Sequence, residues 1–274
     1  KWRQDSNWLY FFGIDEPRFA ATIDLESGVE TIYADDFDID DIIWTGPMPT
    51  VASIAEGVGM GCSAPYGAFD RDVKAALAAG RTVHFIPASR YFTALKLASV
   101  LGIAPEEAFS AGKAGCPKAS KELVSSIVEM RLVKEDIEIE ILDRACTLGQ
   151  QMHTIARQGI VEGVLEQKIV GAMEGFALAN GWGVSFPTIL TQHGEIFHCH
   201  SHRQPIEAGK LLVIDAGAES NEHYASDFTR TYPTSGKFSS RQRDIYQIVY
   251  DCNELAFSLA KPGTTYLDVH KAVS

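Results

Sequence analysis

The chain has 274 residues, 46% of them hydrophobic and 22% charged, enough for one large or two medium globular domains. Its net charge of −12 argues against bulk electrostatic binding of nucleic acid or an anionic membrane, and no apolar run reaches the length of a membrane span. The five cysteines (Cys62, Cys116, Cys146, Cys199, Cys252) are scattered without a CxxC pair, which fits reduced, mostly buried thiols in a cytoplasmic protein.

The opening Lys1-Trp2-Arg3-Gln4-Asp5 is polar, shows no signal-peptide pattern and lacks an initiator Met. Residues 8–12 are an aromatic strand candidate closed by Gly13. Residues 18–24 and 29–33 form a strand pair around Glu26-Ser27-Gly28. The five aspartates within 35–41 read as a solvated loop or helix N-terminus in preference to a cation site. Helices are expected over 49–56, 70–79 and 90–101, with a strand over 82–86 that stops at Pro87 and holds His84. Gly57-Val58-Gly59-Met60-Gly61 lacks the lysine and hydroxyl residue of a phosphate loop and its strand–loop–helix setting, so nucleotide binding is set aside. Strands alternating with helices make this an α/β domain.

The small, Gly- and Pro-bearing stretch 110–117 sets the domain boundary, giving domains 1–112 and 113–274. A helix starts at about Ser120 and a longer one covers 135–158. The long helix shows an apolar face of Ile137, Ile141, Ala145, Leu148, Met152 and Ile155, with His153 beside it as a packing residue. A third helix, 163–180, uses Leu165, Ile169, Ala172, Phe176 and Ala179. Strands follow over 184–192 and 195–200. Ser239 or Ser240 then starts a helix with the stripe Ile245, Val249, Cys252, Ala256 and Leu259, and Thr265 with Asp268 forms a capping box for another. Helices followed by an antiparallel meander indicate α+β.

Residues 210–232 carry the chemistry. In the first run Leu211, Val213 and Asp215 share one face and Leu212 and Ile214 the other; 224–232 is the second strand, and the polar middle is the turn. Folded as a hairpin, the stretch brings Asp215 and Asp227 side by side. Such carboxylates repel unless they share a proton or hold cations. They read as two ligands of a metal centre, or else as exposed cross-strand aspartates. Hard oxygens suit Mn, Mg or Fe, with Zn or Co admitted once imidazole joins. Upstream lie His193, His198, His200 and His202. The last three alternate, so on a strand they share a face; they make a three-histidine zinc site, a surface run, or a source of one neutral donor or proton shuttle. Thr229 shares the Asp227 face and Arg230 takes the opposite one.

IDAGAE at 214–219, followed by YASDFTRTYPTSGKF at 224–238, resembles the pita-bread metallopeptidases, most closely the Xaa-Pro aminopeptidases (aminopeptidase P). Their pattern here is roughly DAGxE, then GYxxDITRTFPVNGKF. WRQDSNWLYFFG at 2–13 is similar to the family's FRQDSxFLYFTG. SFPTIL at 185–190, the GxxxH segment, and ExxxL/I-x-x-A from Glu138 to Ala145 also match.

The resemblance implies a two-domain α/β plus α+β chain: a creatinase/prolidase-type α/β domain over 1–112, then the first half of a pita-bread catalytic domain over 113–274. It implies that Asp215 is a terminal ligand of one of two divalent metals and that Asp227 bridges both. The metals are expected to be Mn, with Co, Zn or Fe as alternatives. His198 is implied to lie by the substrate, binding the scissile carbonyl or shuttling protons. The remaining histidine and two glutamate ligands fall outside the chain, which therefore reads as an internal piece of a longer protein, inactive alone. The implied activity is hydrolysis of the bond between an N-terminal residue and proline by a metal-bridging hydroxide. The implied partners are peptides with proline second and further copies of the chain, as a dimer or tetramer. A prolidase, a metal-free creatinase-like hydrolase and a non-catalytic binding protein are the rival readings. Two departures stand out. The aspartates here have eleven residues between them, one more than is usual, and the extra one is assigned to the turn 219–223. The resemblance covers only His198 of the histidine run and leaves His200 and His202 open.

Overall fold

The computed structural model describes residues 2–109, 116 and 118–274. The chain divides into two compact units, residues 1–133 and 134–274.

In the first unit, α1 (Ser6–Phe12) occupies the stretch expected as a strand. Its aromatic side chains suit a sheet, but Asp5 caps the segment, its carboxylate accepting from the amides of Asn7 and Trp8. That satisfies amides a helix start otherwise leaves free, and the local cap outweighs propensity. β1 (Ala20–Ile23) and β2 (Glu30–Tyr33) form the expected antiparallel pair. The aspartates that follow hold helix starts. Asp38 caps α2 (Ile39–Thr45) through the Asp41 amide at 2.9 Å. Asp36 accepts from Val51, the first residue of α3 (Val51–Gly57), and Asp35 accepts from Tyr66, where the next helix begins. The glycine-rich 57–61 leaves the C-terminal end of α3, where carbonyls rather than amides point outward, so it offers phosphate nothing. It leads into β3 (Cys62–Ala64), which sequence reading missed and which pairs in parallel with β2.

α4 (Tyr66–Ala78) packs on β1 and β2 and against α5 (Tyr91–Leu101), which meets α6 (Pro105–Ala108). Residues 82–86 form no strand. Pro87 removes a ladder donor, and the Phe85 carbonyl accepts from the Ser120 amide instead, leaving His84 exposed in a connection. The boundary stretch 110–117 lies, apart from Cys116, outside the described residues. Ser120 caps α7 (Lys121–Leu132), which was expected in the second domain and groups with the first unit.

The second unit begins with α8 (Asp136–Gly159) and α9 (Glu166–Asn180), packed on each other. β4 (Gly183–Val184), β5 (Ile189–Thr191), β6 (Leu211–Ala216), β7 (Ala218–Glu219) and β8 (Phe228–Pro233) form two antiparallel sheets, β5-β6-β8 and β4-β7. The single strand expected over 184–192 is thus split between two sheets, with Pro187 in the gap. The strand expected over 195–200 is a turn. The core joins Met152, Ile169 and Met173 of the helices to Leu190, Leu212 and Ile214 of the sheet.

α9 buries a face turned from the one expected, whereas α8 buries Ala145 and Met152 of its expected face and packs Leu148 and Ile155 against the core. α8 buries Glu138, Ala145, Gly149, Met152, His153 and Ala156, while Ile137 is exposed. α9 buries Glu166, Ile169, Val170, Met173 and Ala177, while Ala172 and Ala179 are exposed. α10 (Ser240–Leu259), capped by Ser239, and α11 (Tyr266–Val273), capped by Thr265 and Asp268, pack on each other. α10 leaves Ile245 and Val249 of its expected stripe exposed. All five cysteines are free; Cys62 is exposed and the rest half-buried, not the buried set expected. No described helix is long and apolar enough to cross a membrane.

Candidate metal centre

β6 alternates as a half-buried strand should: Leu212, Ile214 and Ala216 enter the core, and Asp215 takes the other face. Its ladder with β8 sets Asp215 opposite Thr229 and Ala216 opposite Phe228. The pairing continues past β6, with Glu219 opposite Ala225 and the Ser226 amide donating to the Ala218 carbonyl. Gly217 therefore faces Asp227, and the two aspartates are diagonal neighbours on one face. Gly217 is required by the close approach: a Cβ there would sit 1.7 Å from the Ser226 carbonyl oxygen and 2.5 Å from Ser185 Oγ. The turn closes through Ser220, whose amide donates to the Tyr224 carbonyl, with His223 at a left-handed φ of 67°. The long spacing between the aspartates is absorbed at 221–223, so Asp227 stays on the Asp215 face.

Partial desolvation, then the charge of Asp215 and a hydrogen bond shared with it, push the Asp227 carboxyl above the usual range. Asp215 Oδ1 is buried and has no donor. The two facts agree physically: a proton between the carboxylates completes the bond, and with both ionised nothing does. A divalent cation supplies the same missing positive charge, and hard oxygen ligands suit it. The pair therefore fits part of a cation's coordination. Among the described residues no group of three or more His, Cys, Asp or Glu is placed to hold a metal ion.

The histidines do not share a face, because 194–198 is a turn. His198 is exposed, its ring 5.2 Å from that of Phe197, and no hydrogen bond among the described residues joins it to Asp215 or Asp227. His200 is exposed. His202 Nδ1 donates to the Leu190 carbonyl at 3.0 Å, and His193 Nδ1 lies 2.9 Å from Glu195 Oε1. The three-histidine zinc alternative is therefore not assembled. Thr229 faces Asp215, whereas Arg230 lies opposite Ile214 and donates to the Thr229 carbonyl rather than to a carboxylate.

Behind the hairpin runs α8, whose contribution sequence reading largely missed. Glu138 Oε1 accepts from the Tyr224 hydroxyl at 2.6 Å, while Oε2 accepts from the Glu135 amide at the helix start. Arg144 pairs with Glu222 at 2.8 Å. Gly149 sits so close that a Cβ would lie 2.4 Å from Ser226 Oγ. His153, 5% exposed, makes a 3.2 Å hydrogen bond from Nε2 to the Ala216 carbonyl. Within the turn, His223 Nδ1 lies 2.8 Å from Glu219 Oε1, both side chains being buried, and Trp182 stands edge-on to the His223 ring at 4.5 Å. The ExxxL/I-x-x-A match marked Glu138, and the helical periodicity placed His153 beside the apolar face as a packing residue but could not name its partner.

Residues 140–274 match the model of metallopeptidase family M24, and residues 1–84 match the aminopeptidase P N-terminal domain. A probable Xaa-Pro aminopeptidase of Ajellomyces capsulatus is 26% identical over 275 residues, covering 98% of this chain and 51% of that protein. Xaa-Pro aminopeptidase 2 of Streptomyces coelicolor is 29% identical over 234 residues, covering 84% of this chain and 46% of that protein. The low-pH form of Escherichia coli aminopeptidase P superposes with a TM-score of 0.83 at 26% identity, covering 100% of this chain and 63% of that one. The same bacterial protein has been solved zinc-substituted in complex with product. The chain spans about half the length of the curated relatives it matches. An aminopeptidase P N-terminal domain followed by part of an M24 catalytic domain, on an aminopeptidase P fold, places this chain among the aminopeptidase P-type members of metallopeptidase family M24.

Proposed function

We propose that the protein to which this chain contributes is a Xaa-Pro aminopeptidase, releasing the N-terminal residue from peptides with proline second. The observation that carries this is the contact of Asp215 and Asp227 on one sheet face, inside the DAGAE and SDFTRTYP segments. Asp215 would help hold one divalent ion and Asp227 would contribute to two; Mn is the favoured metal, with Co, Zn or Fe as alternatives. Such ions would supply an acidified water as nucleophile and a Lewis acid for the scissile carbonyl. His198, on its exposed turn, approaches the substrate carbonyl as a donor or proton shuttle. The names of the relatives and the product complex of the bacterial neighbour support the substrate class. Five free cysteines support a reducing, cytoplasmic setting, and the assembly is a homo-oligomer.

The test uses the full-length protein stripped with EDTA and reloaded with Mn, assayed for the residue released from Xaa-Pro tripeptides and dipeptides. Metal-dependent release from tripeptides is the expected result. Release from dipeptides alone turns the reading to prolidase, and no metal-dependent release from either sinks it.

A further inference from the structure

His153 touches the chain neighbours of both aspartates. Its Nε2 donates to the carbonyl of Ala216, the residue after Asp215, at 3.2 Å. Its ring stands edge-on to that of Phe228, the residue after Asp227, with centroids 6.3 Å apart at 80°. Ala216 and Phe228 are a registered pair of the β6–β8 ladder. Strand alternation points their side chains away from the face that carries the carboxylates. A single imidazole on α8 thus backs the rung from which both aspartates depart.

The chemistry of the ring suits a fixed role. A carbonyl can only accept, so Nε2 carries the hydrogen. Nδ1 is buried and makes no hydrogen bond of its own. Desolvation pushes the imidazole below its ordinary range, while the Ala216 and Phe228 backbones push the other way; of the two, only Ala216 meets hydrogen-bond geometry. With Nε2 donating to a carbonyl and Nδ1 enclosed, the geometry holds the ring in one orientation. The helix packs closely beneath it: at Gly149, one turn earlier, there is no room for a Cβ, which would meet Ser226 Oγ at 2.4 Å and the Phe228 ring at 3.0 Å.

We infer that His153 is a positioning residue for the metal-binding hairpin: through the Ala216 carbonyl and the Phe228 ring it sets the separation of Asp215 and Asp227 from behind the sheet. This rests on the reading of those aspartates as metal ligands. Partners that orient ligands change metal affinity by about 10- to 100-fold when removed.

The experiment compares full-length wild type, His153→Leu and His153→Gln after EDTA treatment. Co(II) is titrated in, reading affinity from calorimetry and coordination geometry from the visible absorption bands, with melting of each apoprotein measured alongside. Glutamine can place an amide donor near the position of Nε2; leucine fills space and cannot donate. The expected result is a loss of about 10- to 100-fold in Co(II) affinity and altered bands for His153→Leu, with His153→Gln within about threefold of wild type. Equal affinity and bands for His153→Leu and wild type overturn the inference alone. So does an equal loss in both variants that follows the loss in melting temperature. Wild type that binds no Co(II) overturns the metal reading and the inference with it.

Discussion

Replacing Asp227 with asparagine should change stability in opposite directions with and without metal. In the metal-free protein Asp227 is exposed and Asp215 half-buried, so their repulsion acts in water-like surroundings. Two unit charges about 4 Å apart there cost about 1 kcal/mol, and exposure keeps the effect on that order. The sign follows from linkage. Desolvation and Asp215 raise the Asp227 carboxyl in the folded state. Its contribution to stability is therefore fully present below the unfolded value near 3.9 and is lost as pH rises through the raised folded value. The amide introduced by Asp227→Asn does not titrate, so the metal-free variant should lack that slope and exceed wild type by about 1 kcal/mol at neutral pH. Metal reverses the order. At a concentration of 100 times Kd a ligand adds about 2.7 kcal/mol to the form that binds it, and the variant forgoes most of this. The assay is urea denaturation of the full-length protein, followed by circular dichroism at pH 7 in EDTA, at pH 7 in Mn, and at pH 4 in EDTA. A variant less stable than wild type in EDTA at pH 7 refutes the repulsion between the carboxylates. Equal stabilisation of both proteins by Mn refutes Asp227 as a ligand.

Gly149→Ala should destabilise despite the helix preference of alanine. The new Cβ would meet Ser226 Oγ at 2.4 Å and the Phe228 ring at 3.0 Å. Overpacking costs about 1–3 kcal/mol against about 1 kcal/mol of propensity gained, so a urea midpoint at or above wild type contradicts the close packing of α8 on the hairpin. Tyr224→Phe removes a 2.6 Å hydrogen bond to the Glu138 carboxylate and should cost about 1.5–3 kcal/mol; a double-mutant cycle with Glu138→Gln that shows no coupling would disprove the link. His198→Ala should leave metal affinity within about threefold of wild type while slowing turnover by about 100-fold, since general acid–base groups contribute roughly 10²–10⁴. Co-loss of metal in that variant would make His198 a ligand instead.

Signals that act within four residues were legible in the chain. Ser120, Ser239 and the Thr265–Asp268 box cap the helices assigned to them, and the turn at Gly28 closes the β1–β2 pair. Alternation along 211–216 told which side of β6 is buried, because side-chain direction in a strand needs no partner. The resemblance of 214–219 and 224–238 singled out Asp215 and Asp227, and the segment matches of 2–13 and 185–190 fitted the same fold.

What needed the tertiary structure was every choice that depends on a remote partner. Residues 82–86 are no strand because the carbonyl at Phe85 finds Ser120, whereas the helix over 8–12 follows from a local cap at Asp5 that its aromatic residues masked. β3 exists only because β2 offers it a parallel edge. The buried face of α8 follows the hairpin it touches and so includes Glu138, Gly149 and His153, a choice no periodicity of apolar residues encodes. Composition and motif thus determined that Asp215 and Asp227 belong together. Only the ladder, with its glycine pressed against Ser226 and its extra residue confined to 221–223, decided that they share one face, because a strand's register is set by the strand opposite.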